Sequence, residues 1–179
     1  MKLQEKLNVL NQSINECKMT TCYFTHDITY VHYYVSNVNE KFVLGIEEFD
    51  FKINGYELRK MSRLKRVAIR DDKTNEINQM IGLTDQLVHL KIDISCWKNI
   101  FNSEIFKDEL IEVECDNDGT RYFGKIVKVN QNSIYFLDFD ADGIWAEEPL
   151  IIRFKDIDGI IWNSWYLNGW KHYFETIIK

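Results

Sequence analysis

The fold is decided by the stretch from residue 110 to residue 162, which reads LIEVECDNDGTRYFGKIVKVNQNSIYFLDFDADGIWAEEPLIIRFKDIDGIIW. Short runs rich in Ile, Val, Tyr and Phe alternate there with clusters of Asn, Asp and Gly, a pattern typical of antiparallel strands joined by turns. Turns are predicted at Asn117-Asp118-Gly119 and at Asn130–Asn132. The predicted strands are Leu110–Cys115, Tyr122–Val129, Ile134–Phe139, Leu150–Phe154 and Ile157–Trp162.

The first half of the chain repeats this pattern. Asn39 precedes Asn130 by 91 residues, whereas Met61 precedes Phe154 by 93 residues. We interpret the halves as a duplication with a two-residue insertion in the middle loop of the second half. Asn54-Gly55 is a favoured sequence for a two-residue hairpin turn, and we expect one there. The predicted strands are Thr20–Phe24, Tyr30–Val38, Lys41–Phe49, Tyr56–Met61 and Lys65–Ile69.

Composition favours a soluble intracellular protein. No apolar run approaches the roughly 18 residues of a membrane span. Glu5, Lys6 and Glu16 interrupt the N-terminal segment, so it does not resemble a signal peptide. The four cysteines form no CxxC pair and show no spacing typical of zinc ligands. We therefore expect a cytoplasmic protein with no membrane contact and no cofactor.

A helix followed by five short, bent antiparallel strands resembles the Sm-like fold, a member of the SH3-like small-barrel class. The resemblance is best over residues 95–162 and reaches the first half through the internal repeat. It implies a mainly β chain with short helices (α+β), built as two tandem SH3/Sm-like bent five-stranded antiparallel barrels. The residues that look like the family motifs are Asp118-Gly119, Gly124, Asn130, Asn132 and Ile157–Ile161.

Helices are predicted before, between and after the strand blocks. Ser95 is a favourable N-cap for a helix over Cys96–Phe106. Near the N-terminus, an apolar helical face consists of Leu3, Leu7, Leu10, Ile14 and Cys17. The predicted organisation is an N-terminal helix (1–18), a first barrel (19–75), a helical connector (76–106), a second barrel (107–163) and an aromatic C-terminal tail (164–179).

The resemblance also implies a possible RNA site, because many Sm-like proteins bind uridine-rich RNA through an Asn in the third loop and an Arg in the fifth. In the second half the Arg position is Asp158, which repels phosphate. The first half keeps Asn39 and carries Lys65 and Arg66 within the basic run 59–66. Strand alternation should divide the charges of this run between faces, and some of them are interpreted as a solvated strand edge or, alternatively, as a partner interface. The net charge of −6 disfavours binding of nucleic acid. RNA binding by the first barrel is therefore an alternative function.

A second alternative is a metal-dependent hydrolase at an acidic loop. Asp138, Asp140 and Asp142 are spaced like the first ligands of a calcium loop, with Gly143 following. The bidentate Glu expected at position twelve is absent, since Pro149 stands there. An acidic turn is the favoured interpretation. No catalytic motif is found in the sequence, so we predict a protein that is not an enzyme.

The C-terminal segment is rich in aromatic residues. Tyr166, Trp170, Tyr173 and Ile177 fall on one helical face, which predicts a tail packed on the second barrel. Trp165, Tyr166, Trp170 and Tyr173 are also candidates for a protein interface, because aromatic residues are enriched there. The main functional prediction is a non-enzymatic binding or scaffold protein acting through protein–protein contacts with an unidentified partner. Exposed edge strands also allow a homodimer.

Overall fold

The computed structural model describes residues 1–25, 30–115 and 120–177. The chain is mainly β, since strands account for 40% and helices for 28% of it. It divides into two compact units, residues 1–91 and residues 92–179. Within the described part of the chain, none of the helices combines the length and the apolar character that a membrane span requires.

The first unit is an antiparallel sheet of five strands preceded by a helix. The strands lie in the order β5-β1-β2-β3-β4. A 3-10 turn separates β4 from β5, and a second one follows α2. The elements are α1 Leu3–Glu16, β1 Thr20–Phe24, β2 Val31–Val38, β3 Phe42–Phe49, β4 Lys52–Lys60, β5 Leu64–Ile69 and α2 Thr74–Met80.

The core of this unit lies where α1 packs on β2 and β5. Leu10 of α1 is fully buried against Cys22, Val35 and Leu64 of the sheet. Leu7 and Ile14 pack beside it, as the predicted helical face requires. At the two ends of that face, however, Leu3 and Cys17 are exposed.

The second unit has the same arrangement. Its strands lie in the order β10-β6-β7-β8-β9, which is the order of the first unit. The predicted turn at Asn117-Asp118-Gly119, with the Asp-Gly pair of the Sm-like motif, lies outside the described residues. The elements are α3 Trp97–Phe101, β6 Ile111–Cys115, β7 Arg121–Val129, β8 Ser133–Asp138, β9 Leu150–Arg153, β10 Ile157–Trp162 and α4 Trp165–Ile177.

The connector helix is shorter than predicted. Cys96, and not Ser95, is the N-cap of α3, which ends at Phe101. The Ser95 hydroxyl instead accepts a hydrogen bond from the Asn99 side chain at 3.0 Å. Ser103 has extended backbone angles and separates α3 from a 3-10 turn at Glu104–Phe106.

The two units share strand register as well as strand order. The β2–β3 pairing skips one residue between Val35 and Asn37, and the β7–β8 pairing skips one between Ile126 and Lys128. These bulges lie 91 residues apart, which is the offset of the sequence repeat. Because a bulge bends a strand and increases its twist, each unit has such an irregularity at the equivalent position.

The two-residue insertion predicted for the second unit is also found in the strand pairing. Phe42 pairs with Lys60 across β3 and β4, whereas Ser133 pairs with Arg153 across β8 and β9. The second hairpin is therefore two residues longer than the first. From this point the units correspond at an offset of 93 residues, as the sequence indicates.

The hairpin between β3 and β4 turns at a different place from the predicted one. Asp50 and Phe51 occupy the turn with positive φ angles of 49° and 61°, as a tight hairpin turn of primed type requires. Asn54-Gly55 lies inside β4 instead. There Gly55, with φ 85°, adjoins an irregularity in the pairing with β3, and glycine tolerates the left-handed conformation that this bulge imposes.

Neither sheet closes on itself. Among the described residues the two outermost strands of each order do not pair with each other, and β5 and β9 each have a single neighbouring strand. Within each unit, the five antiparallel strands are thus open and are not closed into a barrel. The tandem barrels expected from the sequence remain a prediction.

Candidate functional site

Helix α4 covers the second unit with one aromatic face. Leu167 is 1% exposed, and Trp170 and Phe174 pack with it against the sheet. The Phe139 ring lies at the centre of this cluster, with centroids 5.1 Å from Trp170 and 5.0 Å from Phe174. Leu167 and Phe174 are packing residues that the predicted face omits.

The other aromatic residues of α4 project from the flank of this packed face. Trp165, Tyr166 and Tyr173 are 44%, 54% and 42% exposed. The Tyr166 ring contacts Phe123 edge-on at 5.1 Å, and the Tyr173 ring contacts Trp170 at 5.5 Å. The aromatic surface is therefore held by ring contacts while much of each ring faces solvent. Of the four predicted interface residues, only Trp170 is half-buried.

The acidic loop between β8 and β9 lies beside α4. One Asp140 oxygen accepts hydrogen bonds from the N–H groups of Asp142 and Ile144, at 3.0 and 2.9 Å. A Cβ atom at Gly143 would lie 2.8 Å from the Trp170 ring, so the loop and the helix are in close contact. Asp140 thus shapes the turn, which is the ordinary role of an Asp at this position.

The three predicted metal ligands are not gathered into a metal site. Asp138 ends β8, and its backbone carbonyl accepts a hydrogen bond from Ala146 at 2.9 Å. Among the described residues, no three His, Cys, Asp or Glu side chains lie close enough to share a metal ion. The acidic loop therefore contributes negative charge beside the aromatic surface.

In the first unit the predicted nucleic-acid residues divide between two roles. Asn39 caps the β2–β3 turn, since its side-chain oxygen accepts the N–H groups of Lys41 and Phe42, both at 2.8 Å. Lys65 and Arg66 are exposed neighbours on β5. They face solvent together because Lys65 is the extra residue of a bulge in the pairing with β1.

Aromatic rings adjoin this basic pair. The Arg66 guanidinium lies over the Tyr23 ring at 5.6 Å, and the Tyr23 ring contacts Tyr30 edge-on at 5.7 Å. Tyr30 in turn lies 4.9 Å from the His32 ring. The surface therefore combines a cation with a row of rings. The sequence alone does not indicate this arrangement, because the pairing of β5 with β1 is needed to bring Arg66 next to Tyr23.

Arg59 does not belong to the exposed basic surface. It is 7% exposed, and its guanidinium pairs with the Glu57 carboxylate, which also accepts the Tyr33 hydroxyl. Burial raises the pKa of Tyr33 well above its usual value, with the nearby Glu57 charge adding to the effect. The charges of the run 59–66 therefore divide between faces, since β4 turns Arg59 toward the interior while Lys65 and Arg66 are exposed.

Comparison with known proteins yields no relative: no family model matches the chain, and no curated protein and no solved structure matches it either. What the protein does must therefore be inferred from these surfaces alone.

Proposed function

We propose that this chain is a non-enzymatic, cytoplasmic binding or scaffold protein that acts through protein–protein contacts. The observation that carries the proposal is the exposed aromatic flank of α4, formed by Trp165, Tyr166 and Tyr173. Large aromatic side chains fixed on a rigid element are the typical anchors of protein interfaces. We assign no catalytic residue to the chain.

The partner that fits this surface is a basic protein segment. Residues 91–179 carry 16 acidic and 10 basic side chains, which accounts for the entire net charge of −6. The acidic loop contacts α4 through Gly143, so its carboxylates border the aromatic flank. Such a surface attracts cationic partners and favours fast association at low salt.

The repeated strand order and register support a finer proposal about the fold. We infer that each unit is a Sm-like small barrel, and that duplication followed by divergence produced the two. The bulge of β5 carries Lys65, whereas the equivalent bulge of β10 carries Asp158. Opposite charges at one structural position adapt the units to different partners.

The test is a pull-down from the native host, with and without nuclease, followed by mass spectrometry. We expect a protein that remains bound after nuclease treatment, and whose recovery falls at least tenfold in the Tyr166→Ser/Tyr173→Ser variant, since an interface anchor contributes about 2 kcal/mol or more. Tyr30→Ser is the matched control, because Tyr30 is 51% exposed in the other unit. Equal recovery of the partner by the wild type, the double variant and the control would refute the proposal that the partner binds at the α4 surface.

A second candidate function is RNA binding by the first unit. The observation that favours it is the contact of Arg66 with Tyr23 and of Tyr23 with Tyr30, since single-stranded nucleic acids stack on rings beside cations. Filter binding with a salt titration tests it. Binding at low salt that Lys65→Glu/Arg66→Glu abolishes would support this function, and no affinity at low salt would exclude it.

A further inference from the structure

A cavity of about 430 Å³ lies within the first unit. Tyr30, which precedes β2, and His32 of β2 line it, together with Glu48 at the end of β3 and Phe51 in the β3–β4 turn. Arg70, which follows β5, completes the wall. A cavity of this size is in the range that accommodates a small molecule.

Glu48 places a buried carboxyl group in this wall. The residue is only 4% exposed, and one of its oxygens accepts the Phe51 N–H at 2.6 Å. Among the described residues, its other oxygen accepts no hydrogen bond. Burial raises the pKa of Glu48, so the carboxylate is held where its charge is poorly solvated. A cationic donor in the cavity would compensate for that loss of solvation.

Carboxylates outnumber cations among the described residues that line the cavity. Glu47 and Asp50 also line it, while Arg70 forms an ion pair with Asp72 at 2.6 Å. Burial and the nearby Arg70 lower the pKa of His32, which disfavours its charged form. The His32 Nδ1 atom is also occupied, since it lies 3.2 Å from the Thr21 hydroxyl.

Aromatic rings form a further part of the wall. Tyr30, Phe49 and Phe51 line the cavity and are 51%, 56% and 43% exposed. The tight turn fixes Phe51, whose φ is 61°. Aromatic faces attract ammonium groups and also cover alkyl chains. The rings and the Glu48 carboxylate are therefore complementary to a ligand that has both an ammonium group and an alkyl chain.

We propose that this cavity binds a small alkylamine, with its primary ammonium group donating to Glu48 and its alkyl chain against Tyr30, Phe49 and Phe51. The inference goes beyond the proposed function, since it concerns a different unit and a different class of ligand. An anionic ligand is disfavoured because, among the described lining residues, it would face three carboxylates and one arginine, which also pairs with Asp72.

Calorimetric titration of the full chain with n-pentylamine, 1-pentanol and pentanoate tests the proposal. These probes share one alkyl chain and differ in the charge of the terminal group. We expect n-pentylamine to bind at least tenfold more tightly than 1-pentanol, because hydrogen bonds to charged groups are strong, and we expect no binding of pentanoate. Failure of n-pentylamine to bind at millimolar concentration, or tighter binding of pentanoate, would overturn it.

Variants assign the effect to Glu48. Glu48→Gln keeps the shape of the side chain and should weaken n-pentylamine binding at least tenfold, whereas Glu40→Gln, an exposed substitution outside the cavity, should leave it unchanged. Equal binding by Glu48→Gln and the wild type would contradict the assignment. If Glu48→Gln does not fold, the wild-type titration at falling pH replaces it. Affinity must then decrease as Glu48 becomes protonated, and constant affinity down to pH 4 would count against the proposal.

Discussion

At the scale of single residues, the first unit buries a charged network inside its sheet. Glu57 and Arg59 are 3% and 7% exposed and form an ion pair that the Tyr33 hydroxyl completes. The Arg59 guanidinium also lies 4.7 Å from the centre of the Phe24 ring. Such pairs are tolerated in an interior when each charge has its partner.

Removal of one partner should therefore be costly. We expect Arg59→Met to lower the free energy of unfolding by about 3 kcal/mol or more, because the Glu57 carboxylate is left buried without its cation. Glu57→Gln/Arg59→Met should recover most of this loss, since neither charge then remains. Urea denaturation of the three proteins measures it. A double variant no more stable than Arg59→Met would show that the pair is not the cause.

Two glycines provide a second test at this scale. A Cβ atom at Gly124 on β7 would lie 2.1 Å from the Leu137 carbonyl oxygen, whereas one at Gly169 in α4 would meet nothing within 4 Å. Gly124→Ala should thus destabilise the protein by about 2 kcal/mol or more through backbone displacement. Gly169→Ala should stabilise it by about 0.5–1 kcal/mol, since Ala is favoured over Gly inside a helix. Thermal unfolding distinguishes the two, and equal effects would contradict these backbone contacts.

At the scale of elements, strand positions follow closely from the sequence. β1 and β10 coincide with their predictions, and β6 differs from its prediction by one residue. Alternating side chains and Asn- or Gly-rich turns are local signals, so strand positions can be predicted from them without tertiary information. β4 is predicted four residues too late, because Asn54-Gly55 looks like a turn although the register of β3 makes it a bulge.

The turn at Asp50 and Phe51 allows a prediction at this scale. A phenylalanine with φ 61° is strained, and Gly is the favoured residue at this position of a primed turn. Phe51→Gly should therefore raise the free energy of unfolding by about 1 kcal/mol. The same variant should weaken n-pentylamine binding, since it removes a ring from the cavity wall.

A strained backbone conformation is expected at a residue that binding requires, even though the strain lowers the stability of the fold. Chemical denaturation and calorimetry on one preparation measure both quantities. A Phe51→Gly protein that is less stable than the wild type would contradict the strain at Phe51. A variant that is more stable but binds n-pentylamine as tightly as the wild type would show that Phe51 does not contribute to the cavity.

At the scale of the whole molecule, the sequence predicts the repeat but not the surfaces. The offsets of 91 and 93 residues reappear in the bulges and the hairpin length, because register depends on local patterns. The burial of Arg59 and the cavity around Glu48 require knowledge of which strand faces are covered. The exposed flank of α4 was predicted only in part, since Leu167 and Phe174, and not Tyr166 and Tyr173, turn toward the core.

The units differ chemically although their strands correspond. Residues 1–90 carry 12 basic and 12 acidic side chains, and residues 91–179 carry all the excess negative charge. A basic protein partner should therefore meet the second unit at α4. The edge strand β9, which presents Ile151 at 57% exposure, is the competing surface for pairing with another chain.

Site-specific photocross-linking in the native host tests this claim most directly. A photoreactive phenylalanine analogue is placed in turn at Tyr166, Ile151 and Tyr23, each at a different surface. The proposal predicts a nuclease-resistant protein adduct from position 166 and none from position 23. Adducts from 151 or 23 with none from 166 would contradict a docking surface on α4.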